Sequence, residues 1–333
     1  MGRQKVVVAL PKSLAFPVDV DRSAFDGLSA DIERVMVSSK GEMMEAVRGA
    51  DVVMAMVQVD ADVIASMDRA KAVCGFGHGF DGWDVQAATE AGIMVTNAAY
   101  ICNWEVANHA AAMILALNRK LVQYDRAMRA GVWDRPAGRP IGPLDEEVAG
   151  LIGFGAIGRS LAKRLQPFGL VVRAYDPYAE DWMFREYGVQ RVNSPEDLLK
   201  ASDYVSIQTP HNDETHHLMG EAQFRTMKSS AFFVNCCRGG VVDEKALVSA
   251  LNEGWIAGAG LDVFEQEPTN PDNPLLKQPN VIATPHAAGE STLSGEWSTR
   301  TASRQAADVL RGIWPSRVVN PEVRQRLRPV SIE

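Results

Sequence analysis

The stretch GLIGFGAIGRSLAKRLQPFGLVVRAYDP, residues 150–177, decides the fold of this 333-residue chain. Apolar runs at 148–152 and 170–175 flank a segment in which apolar residues recur at helical spacing. These residues are Ile157, Leu161, Leu165 and Phe168. Short apolar runs are typical of buried strands. The spacing of the four apolar residues that lie between the two runs is typical of an amphipathic helix. The sequence therefore predicts a strand, a turn, a helix and a second strand, which together form a βαβ unit.

Three glycines in the turn form the pattern G-x-G-x-x-G: Gly153, Gly155 and Gly158. The first permits a tight turn, the second lets the backbone approach a pyrophosphate, and the third lets the helix pack on the strand. Ala156 and Ile157 lie at the start of the helix. There the unpaired backbone N–H groups and the positive end of the helix dipole both favour binding of an anion. The pattern predicts a dinucleotide-binding turn.

Asp176 ends the second strand of this unit. A carboxylate at this position accepts hydrogen bonds from both ribose hydroxyls of an adenosine and repels a 2′-phosphate. We therefore expect the cofactor to be NAD rather than NADP. The alternative, a glycine-rich turn that only packs, is disfavoured by the strand before it, the helix after it and the acid that follows.

The composition is that of a globular protein, with 46% hydrophobic and 23% charged residues. Because 333 residues exceed one compact core, two domains are expected. No apolar run has the length of a membrane span, and the start of the chain is typical of a strand rather than a signal peptide. The net charge of −8 disfavours nucleic acid and anionic membranes as partners. The expected partner is a small molecule.

The four cysteines are too few for a disulfide framework in a chain of this length: Cys74, Cys102, Cys236 and Cys237. The metal-binding spacing C-x-x-C is absent, so no metal site is expected. This cysteine usage predicts a reducing, cytoplasmic setting.

Short β-rich runs alternate with amphipathic stretches over residues 1–100, and further strands are predicted at 204–207, 231–234, 258–261 and 281–283. This alternation predicts parallel sheets. Residues 103–130 are predicted to form one long helix that is buried against a large surface, such as that of a dimer partner. Residues 131–143 contain three prolines and no periodicity, so they are predicted to form a loop.

Chemically useful side chains follow three of these strands. Arg238 follows the strand at 231–234, Asp262 and Glu267 follow the strand at 258–261, and His286 follows the strand at 281–283. Because parallel sheets bind ligands at the carboxyl ends of their strands, we expect these side chains to meet. The glycine-rich loop at 75–81 is a candidate carboxylate cradle, with a flexible turn as an equal alternative.

These residues resemble those of the D-isomer-specific 2-hydroxyacid dehydrogenases over residues 79–320. The resemblance covers three signature regions: the glycine turn, residues 204–219 and residues 235–247. It implies an α/β fold of two Rossmann-like or flavodoxin-like domains with parallel sheets. Residues 1–100 and 289–333 would form the substrate domain, and residues 101–288 the NAD-binding domain. It also implies a homodimer joined through the nucleotide domains by the long helix and the following loop.

The resemblance assigns three catalytic residues. Arg238 would bind the carboxylate and carbonyl oxygen of the substrate, His286 would transfer a proton, and Glu267 would support His286. A guanidinium holds a 2-oxo acid through paired N–H bonds. A histidine titrates near neutral pH, and a neighbouring carboxylate favours its charged form.

The resemblance also implies binding contacts. Asp262 would lie at the nicotinamide carboxamide, and the backbone of His78 and Gly79 would hold the substrate carboxylate. Other expected cofactor contacts are Thr209, Pro210, Cys237 and His286.

The implied reaction is the NAD-dependent interconversion of a D-2-hydroxy acid and its 2-oxo acid, of the glyoxylate or hydroxypyruvate type or larger. One alternative is a binding protein of the C-terminal-binding-protein type that senses NAD. Another alternative is a 3-phosphoglycerate dehydrogenase. It is disfavoured because Met54 and Gly75 stand where such enzymes tend to carry arginines. A phosphate would then have to be held by Arg135 or Arg139 of a partner subunit. A thiol hydrolase that uses Cys237 and His286 is the least favoured alternative.

Overall fold

The computed structural model describes residues 3–14, 18–99, 101–138 and 140–327, so Arg139 lies outside the described residues. The chain forms two compact units. The first unit consists of Met1–Cys102 and Ser291–Glu333, and the second of Asn103–Glu290. Both ends of the chain therefore contribute to the first unit.

The described elements follow in chain order. The strands are β1 (Gln4–Pro11), β2 (Ala30–Val37), β3 (Val52–Ala55), β4 (Ala72–Gly75), β5 (Met94–Thr96), β6 (Val148–Ile152), β7 (Val171–Tyr175), β8 (Gln190–Arg191), β9 (Tyr204–Ile207), β10 (Phe232–Asn235), β11 (Gly258–Leu261) and β12 (Val281–Ala283). The α-helices are α1 (Lys40–Ala46), α2 (Ala61–Ala65), α3 (Val85–Glu90), α4 (Asn103–Asn118), α5 (Leu121–Arg129), α6 (Ala156–Leu165), α7 (Asp181–Glu186), α8 (Pro195–Ala201), α9 (Glu221–Thr226), α10 (Glu244–Asn252) and α11 (Thr292–Leu310). Short 3₁₀ helices span Arg22–Phe25, Pro136–Gly138, Gln166–Phe168, Gly239–Val241, Pro274–Lys277 and Pro321–Gln325.

The first unit contains a five-stranded parallel sheet in the order β2-β1-β3-β4-β5, which is the flavodoxin-like order. Alternate residues of β1 belong to the cores on its two faces: Val6 and Val8 pack in the core that includes residues of α11, and Val7 and Ala9 in the other. The sequence did not predict β2. Its strand lies at the edge of the sheet and most of its residues are partly or fully exposed, so it lacks an apolar run.

The second unit contains a seven-stranded parallel sheet in the order β12-β11-β10-β9-β6-β7-β8. This is the Rossmann order with an added strand, and the chain reverses its direction across the sheet between β6 and β9. Ligands bind where the strand order reverses, beyond the carboxyl ends of the strands. The prediction of an α/β fold with two such parallel sheets is confirmed.

The prediction of one long helix over residues 103–130 is wrong. The helix α4 ends at Asn118 and α5 begins at Leu121, because Lys120 adopts a left-handed backbone conformation with φ of 55°. The ammonium of Lys120 lies 4.3 Å from the centre of the Phe232 ring. Many residues of α4 are buried, whereas no residue of α5 is. Lysine rarely takes this conformation, and no glycine or proline marks the break.

Residues 131–138 and 140–143 contain no α-helix or strand, as predicted for this loop. Across the described part of the chain, no helix is both long and apolar enough to cross a membrane.

Candidate active site

The glycine turn joins β6 to the start of α6. Gly153 has a φ of 94°, which favours glycine, and a Cβ there would lie 2.5 Å from the carbonyl oxygen of Gln208. A Cβ on Gly158 would lie 2.5 Å from the carbonyl oxygen of Gly153. Close packing of backbone on backbone therefore requires glycine at the first and third positions of the pattern.

Gly155 differs from the other two glycines. Its backbone angles, φ of −66° and ψ of −162°, are open to any residue, and a Cβ there would meet no protein atom within 4 Å. Packing within the protein therefore does not require glycine at this position. The space lies at the N-terminus of α6, where N–H groups and the helix dipole attract phosphates. These residues fit the pyrophosphate of a dinucleotide.

The carboxylate of Asp176 holds the glycine turn to the loop that follows β7. Its Oδ2 accepts a hydrogen bond from the N–H of Phe154 at 2.8 Å, and its Oδ1 accepts from the N–H groups of Tyr178 and Ala179 at 2.9 and 3.1 Å. A carboxylate offers about four acceptor positions, so capacity remains for a ribose hydroxyl. The side chain is thus fixed beside the dinucleotide turn.

Thr209 and Pro210 follow β9, the neighbour of β6 at the reversal of strand order. A Cβ on Gly153 would lie 3.2 Å from Cγ2 of Thr209, so this loop borders the glycine turn. The carbonyl of Pro210 accepts a hydrogen bond from the Thr215 hydroxyl at 2.7 Å. Both predicted cofactor residues therefore belong to the same edge of the sheet as the glycine turn.

Arg238 lies on a turn that Asn235 closes. Nδ2 of Asn235 donates to the carbonyl of Arg238 at 2.8 Å, and its Oδ1 accepts from the N–H of Cys237 at 3.0 Å. The Arg238 guanidinium donates to the carbonyl of Cys237 at 2.5 Å. A Cβ on Gly239 would lie 1.9 Å from the carbonyl oxygen of Phe264, so the turn packs against the segment before Glu267. Asn235 was not among the predicted site residues, although its place at the end of a buried strand was an available signal.

Cys237 is buried, and burial raises the pKa of its thiol. A thiol with a raised pKa stays protonated at neutral pH and is a poor nucleophile. The structure therefore gives no support to the thiol hydrolase alternative.

His286 and Glu267 form a hydrogen-bonded pair, with Nδ1 of the histidine 2.6 Å from Oε2 of the glutamate. Oε1 of Glu267 accepts from the N–H of Phe264 at 3.0 Å. The hydrogen bond to Glu267 raises the pKa of His286 above its usual value, although burial and the charge of Arg238 oppose this shift. Burial raises the pKa of Glu267, but the hydrogen bonds from His286 and Phe264 and the nearby positive charges outweigh burial and lower it. The pair therefore favours an imidazolium beside a carboxylate.

Asp262 holds the loop that carries His286. It is 1% exposed, and its carbonyl accepts from the N–H of His286 at 2.7 Å. Oδ1 accepts from the N–H of Ala287 at 2.8 Å and from the Thr284 hydroxyl, and Oδ2 accepts from the N–H of Ala288 at 2.9 Å. His286 has a φ of 52°, which is uncommon outside glycine. These bonds to Asp262 hold the loop in that conformation and so orient the imidazole.

His109, on α4, extends this network. Its Nε2 lies 3.0 Å from Oγ1 of Thr284, which donates to Asp262. No pattern in the sequence linked His109 to a loop so distant along the chain. The structure therefore adds Asn235, Thr284 and His109 to the surroundings of the predicted site.

The second unit thus brings Arg238, Glu267 and His286 together, and the charge of Arg238 acts on both other residues. His78 and Gly79 lie in the first unit, in the loop after β4. The described residues contain no group of three or more histidine, cysteine, aspartate or glutamate side chains that could hold a metal ion.

Comparison with known proteins agrees with this geometry. Residues 111–288 match the family model described as "D-isomer specific 2-hydroxyacid dehydrogenase, NAD binding domain". A glyoxylate reductase of Korarchaeum cryptofilum is 41% identical over 300 residues, which cover 87% of this chain and 89% of that protein. A D-3-phosphoglycerate dehydrogenase of Methanocaldococcus jannaschii is 37% identical over 292 residues, which cover 87% of this chain and 55% of that protein.

The crystal structure of a glyoxylate reductase from Paecilomyes thermophila is also similar. It has a TM-score of 0.86 and 25% sequence identity, and the match covers 97% of this chain and 99% of that chain. The chain therefore belongs to the D-isomer-specific 2-hydroxyacid dehydrogenase family and is an NAD-dependent enzyme.

Proposed function

We propose that this enzyme reduces short 2-oxo acids, such as glyoxylate or hydroxypyruvate, to the corresponding 2-hydroxy acids, and that it catalyses the reverse reaction. The observation that carries the proposal is the His286–Glu267 pair beside the charge of Arg238. An arginine that binds a carboxylate and a charged histidine that gives up a proton are the groups that reduction of a 2-oxo acid requires. Relatives named glyoxylate reductase support this substrate class.

Each catalytic residue has a defined task in this proposal. The Arg238 guanidinium binds the carboxylate and the carbonyl oxygen, and it polarises the C=O bond. His286 donates its Nε2 proton to that oxygen as the carbon accepts a hydride, and the product is a hydroxyl group. Glu267 holds the imidazole by Nδ1 and stabilises its charged form. In the reverse direction, neutral His286 accepts the proton of the hydroxyl.

We propose that the second unit is the NAD-binding domain. The glycine turn and the backbone of Ala156 and Ile157 would hold the pyrophosphate, and Asp176 the ribose. Further contacts are assigned to Thr209, Pro210, Cys237, Asp262 and His286. Bound here, NADH would supply the hydride. The match of residues 111–288 to an NAD-binding family supports this assignment.

We propose that the first unit is the substrate domain. Its loop after β4 would hold the substrate carboxylate through the N–H groups of His78 and Gly79, because backbone N–H groups in glycine-rich loops bind anions.

A phosphorylated substrate is the second candidate. Its support is the identity of 37–39% to two proteins named D-3-phosphoglycerate dehydrogenase, although this chain spans 55% and 54% of their lengths. The positions at which arginines would hold a phosphate are occupied by Met54 and Gly75, which are buried and carry no charge. The short, unphosphorylated acids are therefore preferred.

The test is a steady-state assay of NADH oxidation with glyoxylate, hydroxypyruvate, pyruvate, bulkier 2-oxo acids and phosphohydroxypyruvate. We expect the highest kcat/KM with glyoxylate or hydroxypyruvate. Preference for phosphohydroxypyruvate would favour the second candidate. Assembly that follows NADH without turnover of any acid would instead favour the binding-protein alternative.

We also propose that the enzyme is a cytoplasmic homodimer. The support for a dimer is α5 and the loop after it, where large apolar side chains are exposed: Leu121, Met128, Val132 and Trp133. Trp133 is 80% exposed. Exposed apolar surface of this kind marks interaction sites. The support for a reducing compartment is that all four cysteines are free thiols. Analytical ultracentrifugation of the wild type and Trp133→Ser tests the dimer, and a monomeric wild type would contradict it.

A further inference from the structure

The glycine-rich loop after β4 is held by hydrogen bonds to three successive carbonyl groups. The Ser298 hydroxyl donates to the carbonyl of Phe76. The N–H of Ala98 donates to the carbonyl of Gly77 at 2.8 Å. Nδ2 of Asn97 donates to the carbonyl of His78 at 2.7 Å. Two of the three donors are side chains, and all three belong to the first unit.

This arrangement fixes the direction of the N–H groups. In a planar trans peptide, the N–H of one residue points opposite to the carbonyl of the residue before it. The N–H of His78 therefore points away from Ala98, and the N–H of Gly79 points away from Asn97. These are the two N–H groups assigned above to the substrate carboxylate.

Packing contributes little at the centre of this loop. A Cβ on Gly77 would meet no neighbour closer than the nitrogen of Gly79, at 4.0 Å. Glycine has more backbone freedom than any other residue, so a loop that contains Gly77 and Gly79 needs other restraints to present a fixed surface. The bonds to its carbonyls supply those restraints.

Asn97 is itself held firmly. It is 8% exposed, and its carbonyl accepts a hydrogen bond from Nε2 of Gln305 at 3.1 Å. Gln305 is buried in α11. The side chain of Asn97 is therefore a fixed point from which the peptide between His78 and Gly79 is oriented.

We propose that Asn97 is a positioning residue for substrate binding: it orients the peptide between His78 and Gly79 so that the N–H of Gly79 faces the substrate carboxylate. Ser298 acts in the same way two residues earlier in the loop, through the carbonyl of Phe76. The proposal rests on the proposed function, in which this loop binds the carboxylate of a 2-oxo acid. Neither residue touches the reacting atoms, so their loss weakens binding of the acid more than it slows the chemical step.

Two variants at position 97 test the donor. Asn97→Ala removes the donor without adding charge, and Asn97→Asp keeps the shape but places an acceptor opposite the carbonyl of His78. We expect the KM for glyoxylate to rise about tenfold or more in both variants, with a larger rise in Asn97→Asp. We expect kcat to change less than KM, and the Kd for NADH to stay within about twofold of wild type, since the nucleotide contacts are assigned to the second unit.

Asn320→Asp is the matched control. Asn320 is fully buried in the same unit, and its Nδ2 donates to the Thr89 hydroxyl and the carbonyl of Ile93. It therefore resembles Asn97 in burial and bonding without touching the loop. We expect Asn320→Asp to lower Tm and to leave the KM for glyoxylate unchanged.

Several results would overturn the proposal. A rise in KM in Asn97→Asp alone, with Asn97→Ala like wild type, would assign the effect to charge. A rise in the KM of Asn320→Asp as large as that of Asn97→Ala would assign the effect on KM to a loss of stability. Turnover by the wild type with unchanged KM in both Asn97 variants would refute this inference only. Absence of wild-type turnover with every acid would refute the proposed function itself.

Ser298 offers an independent test if the Asn97 variants fold poorly. Ser298 is only partly buried, so its substitution carries less risk to the fold. We expect Ser298→Ala to raise the KM for glyoxylate severalfold, and Ser298→Thr, which keeps the hydroxyl, to restore it. Equal KM values in Ser298→Ala and wild type would contradict the proposal for this residue.

Discussion

Nε2 of His217 lies 2.5 Å from Oε1 of Glu265, so the second unit holds another histidine–glutamate pair besides His286 and Glu267. Both pairs are partly exposed, and both glutamates lie in the segment after β11. The charge of Arg238, the residue assigned to the substrate, acts on His286 and on Glu267. The pair of His217 therefore serves as an internal control for the pair assigned to catalysis.

Replacement of His286 removes the group assigned to donate the proton. We expect His286→Asn to lower kcat for reduction of glyoxylate by ~10²–10⁴-fold, the usual contribution of a general acid. His217→Asn removes the histidine of the control pair, and we expect its kcat to equal that of wild type. The measurement is steady-state NADH oxidation at saturating acid. Equal kcat values for His286→Asn and wild type would remove His286 from the mechanism.

The pH dependence follows from the raised pKa of His286. Reduction needs the imidazolium, so kcat/KM is constant below this pKa and falls as the pH rises through it. Oxidation of the hydroxy acid needs neutral His286 and shows the opposite dependence. In Glu267→Gln the hydrogen bond to a carboxylate is lost, while burial and Arg238 still lower the pKa. We therefore expect kcat/KM for reduction to begin its fall at a lower pH in Glu267→Gln than in wild type.

Glu265→Gln is the control for this profile, because it alters the glutamate that pairs with His217. We expect its kcat/KM to follow the wild-type pH profile. A Glu267→Gln profile that coincides with wild type would show that Glu267 does not set the protonation of His286.

The glycine turn predicts two different outcomes for the same substitution. A Cβ on Gly155 meets open space, so Gly155→Ala should change the unfolding free energy of the NAD-free protein by less than ~0.5 kcal/mol. It should raise the Kd for NADH about tenfold or more, because the methyl group occupies the space assigned to the pyrophosphate. Gly158→Ala places a Cβ 2.5 Å from a carbonyl oxygen and should lower the unfolding free energy by ~1–3 kcal/mol.

Urea denaturation and NADH fluorescence titration measure the two quantities. Destabilisation by Gly155→Ala with unchanged NADH binding would show that the second glycine is needed for packing rather than for the cofactor.

Asp176 tests the choice of cofactor. We expect Asp176→Ala to weaken NADH binding about tenfold, through loss of charged hydrogen bonds, and to reduce the preference for NADH over NADPH. Because Asp176 also holds the N–H groups of Phe154 and Tyr178, part of the loss would come from the turn itself. Asp176→Asn keeps an acceptor oxygen but removes the charge, so it should lose less NADH affinity and still bind NADPH better than wild type. Unchanged NADH affinity in Asp176→Ala would place the ribose elsewhere.

The second unit was largely predictable because its central strands are buried on both faces. The strands predicted at 148–152, 204–207 and 258–261 match the buried strands β6, β9 and β11, and the strand predicted at 281–283 matches β12 at the edge of the sheet. Their apolar runs identify them without knowledge of their neighbours. The carboxyl ends of parallel strands share one edge, so the order of the sequence was enough to bring Arg238, Glu267 and His286 together.

Other features carry no local pattern. The strand β2 is exposed at an edge, and the break at Lys120 lies in a stretch of good helix formers. The contacts of His109 and Asn97 join side chains to distant loops. Such pairings depend on how the chain folds in three dimensions and cannot be read from spacing.

The membership of α11 in the first unit has a consequence for synthesis of the chain. Ala302, Ala306 and Leu310 of this helix cover one face of the sheet that contains β1. A nascent chain therefore displays that apolar face until α11 has left the ribosome, whereas residues 103–290 emerge before α11 and can fold by then. The sheet of the first unit, although translated before the second unit, is thus covered after it, and it is the part that chaperones would need to shield.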